Sequence, residues 1–230
     1  MAYGPDPCCK AEDGARLRGV AEGNRTRLTY RLELRRALAH GVLEAGGSTF
    51  LLLIAVRWYH AGSLAKALVA AGGSAGLLLT PLVVSQVARL GWPVAAAAAR
   101  LAFLGAGCFV LMALIPWLPF YVLGSMITMA AASSAVPLMT QIYQENYPDD
   151  QRGRLFSRAV MVRIATAAGF SQVAGGLLSE DLGRYPWLLL VFAVAFAYAG
   201  RCLSRYPSTP LTGAGGSHPF RAMVYVRTDP

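Results

Sequence analysis

The chain's long apolar stretches contain very few residues able to do chemistry, and Glu44 is the first of them. It lies in the run Ala37–Val56, which is otherwise broken only by His40. At helical spacing, Gly41, Ser48 and Leu51 fall close to its face. An ionised carboxylate in hydrocarbon costs about 3 kcal/mol or more, so Glu44 must face protein or water. Either it binds a proton, a cation or a polar substrate group, or it pairs structurally with a neighbouring helix near the headgroups. Arg100 and Arg163 stand inside other apolar runs, near enough to their ends for the charge to snorkel to water. Gln172 lies deeper, and its amide is expected to bond to another helix. Arg100 and Gln172 join Glu44 as candidates for binding substrate or proton.

Other chemistries find little support. The stretch Gly72-Gly73-Ser74-Ala75-Gly76 matches the GxSxG form of a hydrolase nucleophile elbow. That elbow follows a strand and needs a histidine base, whereas this stretch lies in an apolar helix with no histidine partner in prospect. Small residues that let two helices approach closely, as in Gly72-x-x-x-Gly76, are the ordinary reading. Cys8, Cys9, Cys108 and Cys202 have no CxxC spacing, so neither a metal site nor a cofactor is expected. The net charge of +9 is not arranged as a basic patch with interleaved aromatics, which excludes nucleic acid as the expected partner.

These residues must be positioned by membrane-spanning helices. The composition is 55% hydrophobic and only 14% charged, well below the charge of an average soluble domain. Roughly 20 apolar residues rising about 1.5 Å each match a hydrocarbon core near 30 Å. Runs of that kind occupy about 37–56, 67–84, 93–115, 120–139, 159–178 and 186–203. The expected fold is thus an all-α membrane protein with a six-transmembrane-helix bundle over 37–205. A polar tail over 1–36, with a short amphipathic helix near Thr29–Arg36, would precede it. A flexible Pro/Gly/Ser-rich tail would follow over 206–230.

Charge sets the expected orientation. In a six-span arrangement, only Arg57, Lys66 and Arg184 of the 21 basic residues fall opposite the termini. Loops kept in the cytoplasm are rich in Lys and Arg, so both termini are expected there, in a cell (inner or plasma) membrane. Trp58, Tyr59, Trp117, Phe120, Tyr121, Tyr185 and Trp187 gather at the other ends. Amphipathic rings favour that boundary.

The loop Tyr147–Ser157 reads Tyr-Pro-Asp-Asp-Gln-Arg-Gly-Arg-Leu-Phe-Ser. Its Pro148…Arg152-Gly153-Arg154 pattern, the order of spans and the opening Glu44…Thr49-Phe50-Leu51 resemble the N-terminal half of a major facilitator superfamily transporter. That family's second-to-third-helix connection usually reads Gly-xxx-Asp-Arg-x-Gly-Arg/Lys. Here Val84, Ala88, Arg89, Gly91 and Trp92 occupy the matching positions, so Arg89 and Gly91 are kept and the acid is absent. The resemblance implies gating loops at Arg89, Gly91, Arg152, Gly153 and Arg154. It also implies a solute cavity lined by the first and fourth helices, with Glu44 and Ser48 on one and Ser125 and Thr128 on the other. Family members generally have about twelve spans in two halves with the substrate between them. The expected partners are therefore the lipid bilayer, a small solute with or without a coupling proton or ion, and a second six-helix half. The alternative is a truncated or non-transporting membrane protein, acting as an assembly partner or an inactive remnant.

Overall fold

The computed structural model describes the backbone over residues 7–211 and the side chains over 23–211, except those of Gly47 and Ser48. The expected flexible tail lies outside these residues from position 212 onward. Each regular element described is a helix: α1 (Pro7–Ala45), a π-helical turn (Gly46–Phe50), α2 (Leu51–Arg57), α3 (Ser63–Leu90), α4 (Val94–Leu114), α5 (Leu118–Ser134), α6 (Val136–Asn146), α7 (Asp149–Glu180), a 3-10 turn (Leu182–Arg184) and α8 (Tyr185–Leu203).

Among the described residues, five stretches are long and apolar enough to cross a membrane: Ser63–Leu90, Val94–Leu114, Leu118–Asn146, Asp149–Glu180 and Leu182–Leu203. The chain is a multi-pass membrane protein. The run Ala37–Val56 falls on the end of α1, the π turn and α2, which follow one another without a loop. No backbone break separates a tail at residue 36 from that run, because α1 continues through it.

Local sequence sets the boundaries. Gly91 closes α3 with φ +61°, a left-handed conformation that costs a glycine little. Its N–H bonds to the Ala88 carbonyl and that of Trp92 to Val87, satisfying carbonyls that the helix end would leave open. Proline stands in the first turn of α5, α6 and α8, where its missing N–H would have no helical partner anyway. The fourth apolar run breaks at Ala135, two residues ahead of Pro137, whose ring cannot continue the preceding helix. Asp149 and Asp150 in the first turn of α7 complement the positive end of its dipole.

The helices pack in a curved row: α3, then α5 with α6, then α4, α8, α1 and α7. Small residues make the contacts close. A Cβ on Gly76 would lie 2.5 Å from the Ala130 backbone, and one on Gly72 would lie 3.1 Å from Met126, so α3 and α5 nearly touch. A Cβ on Gly41 would meet the Arg163 carbonyl at 2.5 Å, which sets the approach of α1 to α7. Between α4 and α8, Phe109 stacks obliquely on Phe192 and Phe196. By contrast a Cβ on Gly107, Gly169, Gly175 or Gly176 would meet nothing within 4 Å among the described residues, so these positions set no helix approach there.

Outward faces are apolar, with Leu77, Leu78, Leu79 and Leu82 exposed on α3 and Met161, Ile164 and Val173 on α7. Trp58, Trp117 and Trp187 are exposed at the aromatic end of the bundle. Tyr121 and Tyr185 are instead buried there, where Tyr59 bridges their rings. At the opposite, arginine-rich end, the segment after α8 folds back under the helices. Ser208 Oγ accepts the Ala95 N–H at 3.1 Å, Asn146 Nδ2 donates to the Pro207 carbonyl, and the Thr209 N–H donates to Glu145.

Candidate functional site

The most completely built polar site lies at the arginine-rich end, centred on Glu33. About three turns of α1 carry Glu33, Arg36, His40 and Glu44 along one side, because spacings of three and four bring residues round to the same face. At about 1.5 Å per residue this ladder is about 16 Å long. Glu33 is 4% exposed and Arg36 is 7% exposed, so both charges have left water.

Their geometry explains how that is tolerated. Arg36 Nη2 donates to Glu33 Oε1 at 2.7 Å and Arg36 Nε donates to Oε2 at 3.0 Å, a two-point pairing. The Tyr143 hydroxyl donates to Oε1 at 2.8 Å and the Tyr206 hydroxyl to Oε2 at 2.6 Å. Tyr143 also accepts from Arg36 Nη2 at 2.9 Å. Each carboxylate oxygen thus receives two donors, and α1, α6 and the segment after α8 are joined at one point. Burial pushes the Glu33 carboxyl up, but the Arg36 charge and the three hydrogen-bonding side chains outweigh it and hold it below the ordinary carboxylate value. Burial works against the Arg36 cation, yet the neighbouring Glu33 charge keeps its pKa well above the ordinary arginine value. Burial and then the Glu33 charge push the Tyr206 phenol well up, so it stays a donor. With all its lone pairs engaged, this carboxylate is a clamp and not a proton carrier.

The second site lies further along the ladder. Glu44 Oε2 is 2.9 Å from Arg163 Nε on α7, with side chains 46% and 30% exposed. The Nε–H is not aligned to make a hydrogen bond, so the contact is an ion pair only. His40 lies between the two sites under the charges of Arg36 and Arg163, and its Nδ1 has no hydrogen-bond partner among the described residues. A void of about 10 Å³ touches Glu33, Arg36, Tyr143 and Arg163. That is room for a single water.

The other expected site residues are dispersed. Ser125 and Thr128 are fully buried on α5, beside Tyr121 and the Cys108 thiol respectively. They stand in the α3–α5–α4 part of the row, whereas Glu44 is turned to α7 in the other part. The Ser48 side chain lies outside the described residues. Arg100 is exposed, and its guanidinium carbon stands over the Trp92 ring 3.4 Å from its centre, a cation–π contact at the α3–α4 corner. Gln172 is exposed on the outward face of α7. Arg89 is exposed in the last turn of α3, beside the Gly91 cap. Arg152 pairs with Asp149 at 2.6 Å and reaches the carbonyls of Gln144 and Tyr147. Gly153 and Arg154 are exposed on the first turns of α7.

Sequence reading missed the Glu33 clamp because its members are scattered. Glu33 and Arg36 sit in a stretch crowded with arginine, and Tyr206 opens a stretch with no apolar face. The available signal was the lone acid three residues ahead of Arg36 in a run of arginines. No protein family, curated protein or solved structure matches the chain.

Proposed function

We propose that the chain is one six-helix half of a secondary transporter of the major facilitator type, moving a small solute across a cell membrane. The supporting observation is the packing order. Take α1 with α2, α3 and α4 as one unit, and α5 with α6, α7 and α8 as the other. Exchanging the units turns the row α3, α5 with α6, α4, α8, α1, α7 into itself read backwards, with α2 packed against α3 and α5. Both units also open on an interrupted rod, one at the π turn Gly46–Phe50 and one at Ala135. Three spans per unit make the second unit inverted in the membrane, the internal repeat on which such transporter halves are built. In this reading the run Ala37–Val56 is the sixth span and the arginine-rich end is cytoplasmic.

Alternating access would come from rocking this bundle against a second half. The Glu33 clamp would keep the cytoplasmic end rigid during that motion. Glu44, still partly exposed, would exchange Arg163 for a proton or a polar group of the solute. The test is solute uptake into vesicles carrying the chain under an imposed pH gradient. Glu44→Gln should abolish uptake or its pH dependence, and unchanged uptake would remove the role given to Glu44. The second reading is a non-transporting membrane protein. It is favoured by the pairing of Glu44, which Arg163 already engages within the chain. A cross-linked monomer without flux for any solute class would support it.

A further inference from the structure

The two ends of the helix row turn different side chains outward. α3 closes one end and presents Leu77, Leu78, Leu79 and Leu82, bulky hydrocarbon that suits lipid. α7 closes the other end and packs chiefly against α1. Its inward side carries Arg163, Thr166 and Ala167, which Gly41 approaches, and the buried Ala174 and Leu178. Only 6% of the most apolar stretch of α7 is buried, against 50% for α4. On its far side Ala165, Gly169, Gln172, Gly176 and Ser179 are all exposed, at spacings of four, three, four and three. Such spacings average 3.5 residues, so the five positions form one stripe along the helix, opposite α1.

Gln172 gives that stripe a chemical requirement. Its amide has no hydrogen bond among the described residues. It stands eight positions before Glu180 and fourteen after Arg158. Those separations are about 12 Å and about 21 Å along the axis, too far for its short side chain to reach water at either end. Hydrocarbon offers neither donor nor acceptor, so the amide needs a partner from outside the chain. We propose that the partner is a second copy of this chain, seated along the α7 stripe as a parallel two-fold pair. Copies in one membrane share an orientation, and a two-fold axis along the membrane normal sets each residue of the stripe against its own counterpart. An amide is complementary to itself, because each Gln172 carbonyl can accept from the other's NH₂. A Cβ on Gly169 or Gly176 would meet nothing within 4 Å among the described residues, which leaves room on both sides of Gln172 for a second backbone. The 3.5-residue repeat keeps the two stripes in register along a left-handed helix pair. An unrelated partner would have to bring an amide and small residues to the same depth, whereas a copy supplies both by symmetry. The proposal rests on α7 crossing a membrane and not on transport, so absence of solute uptake leaves it standing.

The full chain, with Cys8, Cys9, Cys108 and Cys202 replaced by alanine, is reconstituted in phosphatidylcholine vesicles with one cysteine at Ser179→Cys. The control carries its cysteine at Leu64→Cys, exposed on α3 at the same end of the bundle. Copper–phenanthroline oxidation should cross-link Ser179→Cys to a dimer and leave Leu64→Cys largely monomeric. Energy transfer between chains labelled at their N-termini, followed as added lipid dilutes them, gives the association constant. Gln172→Leu should lower that constant by about tenfold, and Gln172→Asn, which keeps an amide, should retain most of it. Gly169→Leu with Gly176→Leu should abolish association, while Gly107→Leu, equally open but on α4, should leave it unchanged. The cross-link at Ser179→Cys reads the contact with Gly169, Gln172 and Gly176 intact, so it does not depend on how those variants fold. No cross-link at Ser179→Cys, equal cross-linking at Leu64→Cys, an association constant indifferent to Gln172→Leu, or an equal fall in Gly107→Leu would each overturn the proposal.

Discussion

Replacing Glu33 by glutamine keeps the side chain's shape and removes its charge, which isolates what the clamp contributes. The carboxylate receives Arg36 Nε and the Tyr206 hydroxyl on one oxygen, and Arg36 Nη2 and the Tyr143 hydroxyl on the other. A glutamine amide offers one carbonyl, so two of these donors must then face an NH₂ group. Tyrosine hydroxyls can turn and accept, but Arg36 cannot, and it stays 7% exposed with no counter-charge. Breaking a buried pair from one side costs about 3–5 kcal/mol. The turning of a tyrosine puts Glu33→Gln at the low end, about 3 kcal/mol. The measurement is unfolding of the full chain in mixed micelles of increasing denaturing detergent, followed by tryptophan fluorescence. Replacing both charges, Glu33→Leu with Arg36→Met, should recover most of the loss, because a buried pair exchanged for apolar side chains is often neutral or stabilising. The pH dependence supplies a further check. Glu33 titrates below the ordinary carboxylate value in the folded chain. Its contribution is therefore complete above the unfolded carboxyl's pKa of about 4.3 and is lost as pH falls through the lower folded value. The gap between unmutated chain and variant should be flat from about pH 5 to pH 8 and close only in stronger acid. A variant within about 0.5 kcal/mol of the unmutated chain, or a gap shrinking between pH 8 and pH 5, would refute this account of the clamp.

Gly76→Val should cost several kcal/mol or prevent folding, since its Cβ would press on the Ala130 backbone 2.5 Å away; Gly107→Val, into open space, is the control with little effect in the same micelle titration. Tyr121→Phe should destabilise by about 1 kcal/mol, because it removes the 2.9 Å hydrogen bond from the hydroxyl to the Leu51 carbonyl beside the π turn. An increase in amide exchange at Leu51–Arg57 would report the loosening of α2. Ser208→Ala should cost about 1 kcal/mol by uncapping the Ala95 N–H at the start of α4. Its hydrogen exchange should rise at the first turn of α4 and leave α3 unchanged.

Whatever depends on a short stretch of chain was legible in the sequence. Five of the six apolar runs, the proline and glycine boundaries and the close approach at Gly72 and Gly76 follow from hydrocarbon thickness, backbone dihedrals and the absence of a Cβ. Those constraints act within one helix or across one contact, so residue order is enough to read them. Which helices become neighbours was not legible, because apolar faces of α3, α4, α7 and α8 look alike until packing selects among them. The site depended on that choice. Tertiary structure paired Glu44 with Arg163 on α7 and buried Ser125 and Thr128 on α5. It also brought Tyr206 back across 173 positions of sequence to Glu33. A buried carboxylate is stable only where donors from several elements converge, and that convergence belongs to the folded arrangement and not to any one segment.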